Sequence, residues 1–114
     1  MGADQVAEIA PGIREAIGGR PDLCVTFTVT GHPDKWVQWV DGVINAAYPH
    51  VDPPESRLGG LQFDAIQHWE PKKSLTVTLA ETEVYAIAKW IDSYFATVLD
   101  PGVDPLFDFS LDRL

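Results

Sequence analysis

Cysteine is nearly absent from this chain of 114 residues: Cys24 stands alone, so no disulfide can form within it. Cations are scarce too. Eight Lys and Arg stand against 17 Asp and Glu, a net charge of −9 at neutral pH. Phosphate contacts need a basic patch, so this balance excludes nucleic acid as a partner and disfavours anionic membrane surfaces. It permits a basic protein partner, although acidity serves solubility as well. No apolar run approaches the ~20 residues of a membrane span. The N-terminus is acidic, is broken by Pro11 and Gly12, and shows no signal peptide. A cytoplasmic protein without a membrane partner is expected.

Catalytic motifs are missing as well. His32, His50 and His68 are not set at metal-ligand spacing. Ser56, Ser74, Ser93 and Ser110 lack a nucleophile elbow, and Gly18-Gly19 and Gly59-Gly60 lack the context of a phosphate loop. Cys24 lies inside an apolar strand pattern, where a thiol is inert. The expectation is no enzyme, no catalytic residue, no metal and no cofactor.

What is present is enough apolar material for one core: 46% of the residues are hydrophobic and 11% are aromatic. Residues 1–114 read as a single α+β domain. The stretch Asp34–Pro49 organises it. Asp41-Gly42 divides two apolar runs and is a strong signal for a tight hairpin. Such a turn sets Val40 opposite Val43, Trp39 opposite Ile44, Gln38 opposite Asn45 and Val37 opposite Ala46. A rival pattern exists: Trp36, Val40, Val43, Ile44 and Ala47 also fall on one helical stripe. The interior Gly42 and the density of Val, Ile and Trp stand against it.

Residues 3–18 carry Val6, Ile9, Ile13 and Ile17 at helical spacing, with Pro11 starting or kinking the helix. Leu23–Thr30 alternates apolar residues with Cys24, Thr26, Thr28 and Thr30, the mark of a strand with one covered face. Residues 49–60 read as a crossover with one or two helical turns, Leu58 and Leu61 pointing inward. Phe63–Trp69 and Ser74–Ala80 form a second hairpin around Glu70-Pro71-Lys72-Lys73. A four-residue loop there sets Trp69 opposite Ser74 and Gln67 opposite Thr76. Residues 82–99 carry a strong apolar stripe, with Glu81 and Glu83 favoured at the positive end of the helix dipole. Beyond it, residues 100–114 form an acidic edge strand or tail, with Asp100, Asp104, Asp108 and Asp112 recurring every four residues.

The predicted fold is one antiparallel sheet of about five strands with helices on one face, in the order α-β-β-β-(short α)-β-β-α. The opposite face then displays Thr26, Thr28, Trp36, Gln38, Asn45, Gln67, Trp69, Thr76 and Thr78. Indoles among hydroxyls and amides supply contact area without desolvating charge. Thr26, Thr28, Trp36, Gln38, Asn45, Trp69, Thr76 and Thr78 are therefore the candidate partner-binding residues. Burial of that face under the 107–111 tail is the competing account.

The element order resembles that of the type III secretion chaperone-like family and the related bacterial peptide-binding chaperone domains. Trp36-Val37-Gln38, Asn45-Ala46-Ala47-Tyr48, the Leu58–Leu61 crossover leading to Phe63, and Ile91 and Phe95 of the long helix carry the likeness. The resemblance implies a small acidic cytoplasmic protein, often a homodimer, that binds an extended protein or peptide segment without enzymatic activity. The Pro-rich 49–54 loop and the acidic tail depart from it. Two other readings are a small-molecule or enzymatic domain with a pocket near His68 and Trp90, and an acidic immunity or inhibitor protein.

Overall fold

A computed structural model describes residues 3–100, 102 and 105–113. It contains α1 (Ala3–Gly18), β1 (Leu23–Val29), β2 (His32–Val40), β3 (Val43–Tyr48), β4 (Ala65–Glu70), β5 (Lys73–Thr78), α2 (Val84–Tyr94) and β6 (Phe107–Arg113). A single 3₁₀ turn, Pro54–Ser56, lies in the crossover, and a π turn, Phe95–Leu99, extends α2. The fold is α+β, with one antiparallel sheet in the order β4-β5-β3-β2-β1-β6.

The central hairpin forms, and residues 35–48 are not helical. Asp41 and Gly42 take φ of 41° and 84°, the two positive angles that a type I′ turn needs. The β2–β3 register is the expected one, from Val40 opposite Val43 to Val37 opposite Ala46. Side chains alternate across a strand, so this register sends Val37, Trp39, Ile44 and Ala46 to one face and Gln38 and Asn45 to the other. Both helices cover the first face. Ile9, Ile13, Ile87, Ile91 and Phe95 meet Val25, Phe27, Trp39, Ile44, Leu75 and Val77 in one buried cluster. Trp39 Nε1 is the buried side-chain atom without a hydrogen-bond partner among the described residues. The parity of β2 sends that indole inward, into the buried cluster.

α1 continues without interruption through Pro11, which sits on its exposed side. Gly12 faces the sheet, and a Cβ there would lie 2.9 Å from ring carbons of Phe27. Absence of a side chain thus lets α1 approach β1 closely. α2 is capped by Glu83, whose carboxylate accepts from Ala86 N at 2.8 Å, consistent with the expected acidic start. Asp100, in the left-handed region at φ 48°, ends the π turn.

The fold class is the expected one, with six strands for about five: of the two readings for the acidic segment, Phe107–Arg113 takes that of an edge strand and pairs with β1. That segment extends the sheet and does not cover its open face. The β4–β5 loop is one residue shorter than four: Glu70 lies opposite Ser74, with Lys72 at φ 60° in the turn. One residue reverses parity, so Trp69 lies opposite Leu75 on the helix side and packs edge-on to Tyr48 at 5.9 Å. Of the recurring aspartates, Asp104 lies outside the described residues, as do positions 101, 103 and 114.

The crossover is pinned by Asp52. Its carboxylate accepts from Arg57 Nε at 2.9 Å and from Ser56 Oγ at 2.9 Å, and its backbone oxygen accepts from Tyr48 Oη at 2.6 Å. The Arg57 contact, then the Ser56 hydroxyl, lower its pKa from 3.8 to about 2. A depressed carboxyl pKa contributes stability above the unfolded-state value and loses it as pH falls toward the folded one. Acid destabilisation between pH 3.8 and about 2 should therefore flatten in Asp52→Asn, read as urea midpoints against pH. Gly12→Ala pits a helix-propensity gain of about 1 kcal/mol against overpacking that costs about 1–3 kcal/mol. Net destabilisation is expected in urea unfolding, because the opposing Phe27 ring is fully buried.

Candidate functional site

The face opposite the helices carries a continuous row of polar side chains. The register sets Ser110 beside Thr26, Thr26 beside Gln38, Gln38 beside Asn45, Asn45 beside Thr76 and Thr76 beside His68. One residue from each of the six strands contributes. The middle four are joined by hydrogen bonds. Thr76 Oγ1 donates to Asn45 Oδ1 at 2.8 Å, Asn45 Nδ2 to Gln38 Oε1 at 3.1 Å, and Gln38 Nε2 to Thr26 Oγ1 at 3.1 Å. All four residues are half-buried. Each amide uses one oxygen and one nitrogen within the row, and each nitrogen keeps a second hydrogen for a ligand or water.

A second row runs parallel to it. Asp108 lies opposite Thr28, Thr28 opposite Trp36, Ala47 opposite Ser74, and Ser74 opposite Glu70. One step beyond the Val37–Ala46 pair puts Trp36 beside Ala47, which is buried. Trp36 is half-buried and is the one indole on this face, between hydroxyl-bearing strands. Val40, Val43 and Thr78 continue the surface toward the Asp41–Gly42 turn.

Of the eight candidate residues, Thr26, Thr28, Trp36, Gln38, Asn45, Thr76 and Thr78 share this face, and Trp69 does not. Gln67, expected opposite Thr76, bulges out of the β4–β5 register, and His68 lies opposite Thr76 in its stead. Three groups missed in the sequence belong here through β6: Asp108, Ser110 and Asp112, whose register beside Thr28, Thr26 and Cys24 sets them on the same face. Their alternation with Phe107, Phe109 and Leu111 was the signal, but not which strand they would join. At the β4 margin His68 Nε2 lies 3.3 Å from Glu70 Oε1, and Lys73 Nζ lies 3.5 Å from Glu70 Oε2. The His68 contact, then Lys73, hold the Glu70 carboxyl below its usual range.

Other clefts are built differently. One of about 600 Å³, at the end of the sheet, is lined by Leu61, Phe63, Asp64, Ala80, Glu81 and Thr82. Its acids are engaged with backbone: Asp64 Oδ2 accepts from Ala80 N at 2.6 Å and Glu81 Oε1 from Glu83 N at 3.1 Å. Beside it Trp90 donates to the Gln62 carbonyl at 2.6 Å. Trp90 lies in the helix layer and His68 on the open sheet face, so the two line no common pocket. His50 Nε2 lies 2.8 Å from the Val98 carbonyl, tying the crossover to the π turn. Among the described residues, no three His, Cys, Asp or Glu side chains converge as a metal site, and no helix is long and apolar enough to cross a membrane.

The fold and face define a small α+β domain with an uncovered, half-buried sheet surface. Comparison with protein-family models, curated proteins and solved structures finds no match to this chain.

The row behaves as a unit if its hydrogen bonds matter. Asn45→Ala should cost about 1–2 kcal/mol in urea unfolding, since it strands Gln38 Oε1 and the Thr76 hydroxyl in a half-buried setting. In a Gln38→Ala background the same change should cost less by about 0.5–1 kcal/mol, a double-mutant coupling that independent surface residues lack.

Proposed function

We propose that this protein is a non-enzymatic protein- or peptide-binding module, chaperone-like, that takes its partner on the open sheet face. The observation that carries the reading is Trp36, half-buried beside a preformed row of hydroxyls and amides. A surface organised before binding loses little side-chain entropy when a partner arrives. An indole flanked by uncharged polar groups gives area and hydrogen bonds without an ion to desolvate. The resemblance to peptide-binding secretion chaperones supports the same reading, as does the engagement of the cleft acids in backbone contacts. Self-association through this face, giving a homodimer, belongs to the proposal, as does action in the cytoplasm.

The test is selection of random peptides on the immobilised full chain, followed by binding measured through the anisotropy of the fluorescein-labelled peptides. Selected peptides should bind Trp36→Ala at least about tenfold more weakly, a loss of ~1.4 kcal/mol. Thr76→Arg, which plants a bulky cation in the row, should have the same effect. Light scattering should give twice the 12.6 kDa chain mass for the parent protein and a lower value for Thr76→Arg. Peptides that bind both variants as tightly as the parent, together with a monomer throughout, overturn the proposal.

A further inference from the structure

The two edges of the sheet differ. β4 is broken by the bulge at Gln67, a device that blunts an edge against further pairing. β6 has no such device: its seven residues pair with β1 without a register shift, and it contains no proline. The Leu106 carbonyl accepts from Thr30 N at 2.8 Å. Backbone groups of successive strand residues point to opposite sides, so those of Asp108, Ser110 and Asp112 also face β1. The N–H and C=O groups of Phe107, Phe109 and Leu111 therefore point outward, and no strand among the described residues pairs with them.

The side chains of this edge have a definite pattern. On the helix side Phe109 and Leu111 remain 45% and 37% exposed, only partly covered. On the open face stand Asp108 and Asp112, both exposed. We propose that the outer edge of β6 accepts an added β-strand from a basic, extended segment of a partner protein. Apolar residues of that segment lie beside Phe109 and Leu111, and its cations lie across from Asp108 and Asp112. Backbone pairing supplies affinity in strand addition, and alternate side chains supply specificity.

Charge decides the occupant. In the fully overlapping antiparallel pairing of two β6 strands about Ser110, Asp108 of each copy lies opposite Asp112 of the other. Like charges directly opposite destabilise a strand pair, and each copy also brings a net charge of −9. A strand with the pattern cation–apolar–polar–apolar–cation meets the same edge with every position complementary. The assignment uses the outer backbone edge of β6, which shares Asp108 and Asp112 with the open face but lies two strands away from Trp36, and it does not depend on what Trp36 and the polar row bind.

The experiment uses the full chain and two fluorescein-labelled peptides flanked by glycine and serine. One carries Lys-Val-Thr-Val-Lys, the other Glu-Val-Thr-Val-Glu. By anisotropy at low ionic strength the lysine peptide should bind at least about tenfold tighter, with the gap closing as salt is added. Amide exchange should slow at Phe109 and Leu111, whose N–H groups face outward, while Ser110, already paired with β1, should be unchanged. Leu111→Pro removes an outward N–H and leaves the β1 ladder intact, so it should abolish binding. Where that variant fails to fold, Asp108→Lys with Asp112→Lys keeps the test: it should reverse the preference to the glutamate peptide. Trp36→Ala should bind the lysine peptide as the parent does. Equal binding of both peptides, or no new protection at Phe109 and Leu111, overturns the proposal. So does binding lost in Trp36→Ala but kept in Leu111→Pro, which places the peptide on the face. Protection of both amides in a peptide-free dimer also overturns it, since a second copy then holds the edge.

Discussion

Asp41 and Gly42, at φ of 41° and 84°, set the parity of the whole sheet. With the chain reversing over these two residues, Trp39 and Ile44 must share a face, and Gln38 and Asn45 must share the other. β1 and β5 then pair with β2 and β3 in registers that continue the division: Phe27 and Val77 inward, Thr26 and Thr76 outward. A slip of one residue at the turn would bury two amides and expose an indole and an isoleucine. Burial of large apolar side chains at ~25 cal/mol per Å² makes that slip prohibitive. The turn and the core therefore enforce each other, and the polar row is the outward consequence of both.

The same parity logic explains what could be read from the residues alone. Asp41-Gly42 is a turn whose length is fixed by its chemistry, so the β2–β3 register followed directly. Leu23–Thr30 and Ser74–Thr78 announce their faces by strict alternation. Glu70-Pro71-Lys72-Lys73 offers no glycine, and Lys72 adopts φ 60° without any residue type that advertises it. Its N–H bonds the His50 carbonyl at 2.9 Å, a contact made by a distant loop. That tertiary contact, the bulge at Gln67 and the packing of Trp69 on Tyr48 together placed the indole on the helix side. No local pattern carried those three facts, and with them went one of the eight candidate residues. The place of β6 beside β1 was hidden for a related reason: strand order beyond a hairpin depends on long-range pairing.

Coverage of the sheet is uneven, and the unevenness has a cause in α1. Gly12 lets that helix settle close over Val25 and Phe27. Phe107 shares in the core through Phe95, at 4.7 Å between ring centroids, while Phe109 meets only the rim through Phe27 at 5.9 Å. β6 is thus held by its ladder to β1 along its length but by side-chain packing chiefly at its start. Beyond Phe107 the helix-side residues Phe109 and Leu111 are only partly covered, and on the other face Asp108 and Asp112 are exposed, which leaves the outer backbone edge and the aspartates accessible together.

The open face owes its character to internal satisfaction more than to exposure. Thr26, Gln38, Asn45 and Thr76 bind one another, so a ligand gains little by displacing those bonds, since each exchange returns one hydrogen bond for another. What the row offers is its spare amide hydrogens, held in fixed directions. Net favourable free energy must come mainly from apolar area over Trp36, Val40 and Val43, with the amides deciding orientation. A partner made only of charged groups has nothing to gain there. A partner with an apolar ridge and flanking backbone carbonyls matches both the area and the donors, and an extended chain presents that combination on one side.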